Sequence, residues 1–72
     1  MTKEQKITLI EEAIDLESGS LTSETLLASV PEYDSMAKLS LIVLCDETFN
    51  KKLSGEQIRA FITVEDILTF LD

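Results

Sequence analysis

Ser35 is the side chain on which chemistry is most readily built. It follows Asp34 and precedes Met36-Ala37-Lys38-Leu39, a run that can open a helix. The first backbone N–H groups of a helix lack intrahelical acceptors and its dipole is positive there, so a phosphodiester fixed to that hydroxyl would sit in a favourable field. The same dipeptide has a purely structural use. Asp and Ser are both preferred N-cap residues, and either can close the start of a helix. A weaker pattern is Asp15-x-Glu17-x-Gly19, which approaches a calcium loop but lacks the further spaced oxygen ligands and the closing Glu.

Composition excludes much else. The 72 residues contain no His and one Cys, Cys45. Neither a Cys/His zinc site nor a Ser/His or Cys/His catalytic pair can be assembled from that set, and an enzyme in its own right is not expected. A lone Cys closes no internal disulfide, which favours a reducing, cytoplasmic setting. There is no apolar leader pattern at the N-terminus and no apolar run of spanning length. Fourteen acidic and six basic residues give a net charge of −8. Nucleic acid and anionic lipid are disfavoured partners, and proteins with basic patches are favoured ones. The charge is uneven: residues 1–35 hold eight acids and two lysines, net −6, and residues 36–72 hold six acids and four bases, net −2.

The apolar spacing is helical throughout. Thr2-x-x-Gln5 is a capping box, and Ile7, Ile10 and Ile14 follow at i, i+3, i+7 until Ser18-Gly19-Ser20, predicting a first helix over about 3–16. Residues 17–34 form a long connection. Leu21, Leu26, Leu27 and Val30 would pin it to the core, Pro31 would keep Val30 extended, and Ser23 would cap one short turn. A second helix runs from Asp34-Ser35 to about Phe49 with two apolar stripes. One comprises Leu41, Ile42, Cys45 and Phe49; the other comprises Met36, Leu39 and Val43, beside Ser40 and Glu47. Helix three, about 55–60, is opened by Ser54-x-x-Gln57 with Leu53 stapled to Ile58, and the last helix by Thr63-x-x-Asp66 with Ile62 stapled to Ile67. The expectation is a single all-α domain over 1–72: a small four-helix bundle with one short third helix and a long loop between helices one and two.

Read in order, Leu26, Tyr33-Asp34-Ser35-Met36, Leu39, Phe49 and Ile62-Thr63-Val64-Glu65-Asp66-Ile67 resemble the acyl carrier protein family across nearly the whole chain. The resemblance implies that Ser35 carries 4′-phosphopantetheine donated by coenzyme A through a phosphopantetheinyl transferase. The thiol of that arm would hold acyl groups as thioesters for loading and transfer enzymes with basic docking patches. The resemblance also implies a monomer and makes Asp34, Met36, Leu39, Val43, Asp46 and Glu47 the partner-facing set. For Asp34 a plain capping role competes. For the apolar stripe, Leu39 above all, core packing competes; for Asp46 and Glu47, a solvated helix face. Cys45 reads as a small core residue.

The chain departs from the fatty-acid-synthesis pattern at Ala37, Lys38 and Ser40 and again at Asn50-Lys51-Lys52, where bases interrupt the acidic face. It looks more like a specialised discrete bacterial carrier than the housekeeping one. An aminoacyl carrier of D-alanyl type and an unmodified acidic interaction module remain the alternatives.

Overall fold

The computed structural model describes residues 1–71, and among them the chain is all-α, with four helices and no strand. α1 is Lys3–Ala13, α2 is Ser35–Phe49, α3 is Gly55–Ala60 and α4 is Val64–Leu71. α1 packs against both α2 and α4. The core they enclose holds Ile10, Ile14, Ala37, Leu41, Cys45, Ile58, Val64, Ile67, Leu68 and Leu71, joined by Leu21, Leu27 and Leu53 from the connections.

Each helix starts where its cap dictates. Thr2 and Ser54 head full capping boxes, the hydroxyl accepting from the backbone N–H of Gln5 or Gln57 while that residue's side chain accepts from the cap's N–H. Thr63 and Asp66 repeat the exchange at α4. Asp66 Oδ2 accepts the Ile62 and Thr63 N–H groups at 2.8 and 3.1 Å, and these bonds hold its carboxyl below the ordinary carboxylate range.

Four expectations need correction. α1 ends at Ala13 rather than near residue 16, because Asp15 takes the left-handed conformation at φ 64°. The Leu16 N–H then bonds back to the Glu11 carbonyl at 2.8 Å and the Asp15 N–H to that of Glu12 at 3.2 Å, which is a Schellman closure. Gly19 is also left-handed, at φ 89°, but it serves the turn beyond.

In the long connection the short turn is a 3-10 helix at Leu27–Ser29 with no side-chain cap. Ser23 instead offers its carbonyl to the Glu65 N–H at 2.9 Å. Leu26 is not an anchor but 53% exposed, and Ile62 is 65% exposed rather than stapled over the fully buried Ile67. Backbone pairing explains both. Leu26 and Thr63 form an isolated bridge and the Leu27 N–H donates to the Ile62 carbonyl at 2.9 Å, so Leu27 turns inward while Leu26 and Ile62 stay outside.

Val30 is extended before Pro31, and Leu53 and Ile58 are both buried, as the sequence predicts.

Candidate functional site

The site is the start of α2. A tight turn delivers the chain to it, with the Tyr33 N–H bonded to the Val30 carbonyl and the Asp34 N–H to the Glu32 carbonyl, each at 3.0 Å. Asp34 is the N-cap: its backbone is extended and its Oδ1 accepts the Ala37 N–H at 2.9 Å. The capping role that the sequence leaves open between Asp34 and Ser35 therefore falls to Asp34. Ser35 is the first residue of the 15-residue helix, it is exposed, and its hydroxyl has no hydrogen-bond partner among the described residues. No acidic residue occupies the first turn of α2, while Asp34 caps it and Asp15 and Glu32 line the groove beside Met36 and Ala37. The Ser35 hydroxyl is thus exposed at a helix N-terminus that carries carboxylates on its flank.

The apolar residues of α2 separate as its two stripes require. Leu41 and Cys45 are fully buried, with Ile42 and Phe49 packed partly buried against the core. Burial pushes the Cys45 thiol up, against a smaller opposing pull from Lys51. On the other side Met36 is 70%, Leu39 58% and Val43 51% exposed. Core packing therefore does not account for the Met36, Leu39 and Val43 stripe, even at Leu39. Together with Ala13 of α1, Ser40 and Glu47, these residues line an open groove of about 400 Å³. Glu47 is exposed at its edge. Asp46 is exposed as well but is paired with Lys52 at 3.2 Å, so part of its field is already neutralised. Lys51 is turned into the fold, where its Nζ donates to the Phe70 carbonyl at 2.8 Å and sits 5.8 Å from the Phe70 ring centroid.

Sequence reasoning missed one feature that positions the site. Glu11 is 1% exposed, and its carboxylate accepts the Gly19 N–H at 3.2 Å and the Leu21 N–H at 2.8 Å. It fastens the beginning of the long connection to α1. The signal was present in the spacing, since Glu11 lies one turn beyond Ile7 and between Ile10 and Ile14 on the apolar face of α1. An acid there is buried, and a buried acid must find donors.

Among the described residues no group of three or more His, Cys, Asp or Glu side chains is placed to hold a metal ion, and no helix is long and apolar enough to cross a membrane. No family model, curated protein or solved structure matches the chain.

Proposed function

We propose that this chain is an acyl carrier protein, a small four-helix carrier that bears 4′-phosphopantetheine on Ser35. The observation that carries the reading is the unbonded, exposed Ser35 hydroxyl, freed by Asp34 to act at the N-terminus of a long helix. The residue types present suit the group. The hydroxyl is the attachment atom, and the first turn of α2 supplies positive potential for a phosphodiester. When bound, the arm supplies a thiol that holds acyl groups as thioesters.

In the attachment step the Ser35 Oγ forms a bond to phosphorus of the coenzyme A pyrophosphate. The phosphoanhydride bond breaks, the adenosine-bearing phosphate leaves, and the hydroxyl proton passes to a base of the transferase. The chain offers no histidine for that task. The exposed Met36, Leu39 and Val43, with Glu47 at the edge, suit docking of an enzyme whose surface is apolar at the centre and basic around it. A cytoplasmic setting goes with this reading, because a chain with a single Cys has no internal disulfide to draw on.

The test is incubation of the purified chain with coenzyme A and a promiscuous phosphopantetheinyl transferase, followed by intact mass measurement. Wild type gains one phosphopantetheine and Ser35→Ala gains none. Equal loading of the two removes Ser35 from the role. No loading of either, together with salt-sensitive binding to a basic protein through the Met36 stripe, favours an unmodified interaction module.

A further inference from the structure

The charge around the Ser35 end of α2 is divided by side. At about 100° per residue, Ser40 and Glu47 fall on one side of the Met36, Leu39 and Val43 stripe, and Ser35 followed by Lys38 on the other. The Ser40 side faces α1. There Asp15, Glu32 and Asp34 line one groove together with Met36 and Ser40, and Glu47 lines the adjoining groove that Met36, Leu39 and Val43 share with Ala13. Neither groove has a Lys or Arg in its walls.

The Lys38 side is the reverse. It faces the end of α3, where Lys38 and Arg59 line a groove of about 390 Å³ with Tyr33 and Phe61, and in a chain with 14 acids none is in its walls. Lys3 and Lys52 are paired with Glu65 and Asp46, but among the described residues Lys38 and Arg59 have no carboxylate within ion-pair distance. Lys38 is half-buried with its Nζ 5.6 Å from the centroid of the Tyr33 ring, and Arg59 is exposed. Asp46 also lies on the Lys38 side of the stripe, but its charge is met by Lys52 at 3.2 Å.

We infer that the enzymes acting at Ser35 dock through a rim of two signs, basic where it meets the α1 side of the stripe and acidic where it meets Lys38 and Arg59. The inference rests on Ser35 being the attachment site, and it confines the basic surround of the docking surface to one side. Burial of Met36, Leu39 and Val43 supplies little preference for the direction in which an enzyme lies across α2. Rim charges of opposite sign supply one, because turning the enzyme around would set like charges against each other on both flanks. An enzyme that is basic on both sides meets repulsion at Lys38 and Arg59, so the same two residues select among partners.

The promiscuous transferase is the probe. Charged residues of its docking surface are reversed in sign one at a time, and kcat/KM for loading at low salt is measured with wild type, Lys38→Glu, Arg59→Glu and Glu47→Lys. With a negative residue opposite Lys38 or Arg59, wild type is expected to load about three- to tenfold faster than with a positive one, and the Lys38→Glu or Arg59→Glu chain slower. Opposite Glu47 the preference is for a positive residue, and Glu47→Lys inverts it. The two groups of positions lie on opposite sides of the transferase active-site opening, and both couplings fade at high salt. A wild type that prefers positive residues on both sides overturns the inference, as do reversal effects that are the same in Lys38→Glu and Arg59→Glu as in wild type. Lys38→Glu also gives up the contact with the Tyr33 ring, so Arg59→Glu, at an exposed position, decides the matter if Lys38→Glu folds poorly. No loading of any form removes the carrier reading and this inference with it; loading without the couplings removes only the two-signed rim.

Discussion

The Asp34 carboxylate accepts the Ala37 N–H at 2.9 Å and thereby caps α2 one residue before the Ser35 hydroxyl, which has no hydrogen-bond partner among the described residues. Of two adjacent polar side chains of similar capping ability, Asp34 closes the helix and Ser35 is left exposed.

That division sets opposite expectations for the two residues. Asp34→Ala loses the cap and lowers stability by about 1 kcal/mol, read from urea unfolding. Asp34→Asn retains most of the cap, so a fall in transferase loading of this variant at unchanged stability would give the carboxylate a second role toward the transferase. Ser35→Ala leaves stability within about 0.5 kcal/mol while abolishing loading. A loss of several kcal/mol in Ser35→Ala would show that the hydroxyl holds the fold instead.

The two sides of α2 respond differently to substitution. Leu41→Ala empties a fully buried position and costs about 2–5 kcal/mol. Met36→Ser or Val43→Ser, at positions more than half exposed, changes stability by less than about 1 kcal/mol and weakens association with an acyl-transfer enzyme at least tenfold. Calorimetric unfolding and titration binding separate these outcomes. A Val43→Ser chain that unfolds as readily as Leu41→Ala would return the stripe to the core.

Glu11 is expected to control the order of the long connection. Glu11→Ala leaves the Gly19 and Leu21 N–H groups without their acceptor and costs about 2–4 kcal/mol. Glu11→Gln keeps one acceptor oxygen and loses less. Amide hydrogen exchange at Leu21 should accelerate in the order wild type, Gln, Ala, and identical protection in all three would refute the clamp.

Asp66 gives the fold an acid-side dependence. Hydrogen bonds from the Ile62 and Thr63 N–H groups depress its folded pKa below the unfolded value. The stabilisation is therefore fully present above the ordinary carboxylate range and is lost as pH falls through the depressed folded value. Urea midpoints measured from pH 7 down to pH 3 should fall less steeply in Asp66→Asn than in wild type. Parallel slopes would mean that the cap carries no proton linkage.

Local sequence determined the helix starts and most of the core. Thr2, Asp34, Ser54 and Thr63 each sit where their backbone N–H accounting demands a cap, and the 3.6-residue period sorted Leu41 and Cys45 inward from Met36, Leu39 and Val43. These are short-range effects within one or two turns, and they act the same way before and after the chain closes. Only the tertiary structure decided the outward turn of Leu26 and Ile62 and the burial of Glu11 against Gly19 and Leu21. Each of those depends on a hydrogen bond or contact between residues brought together by closure of the long connection, and neither a period nor a cap signal encodes which partners that closure supplies.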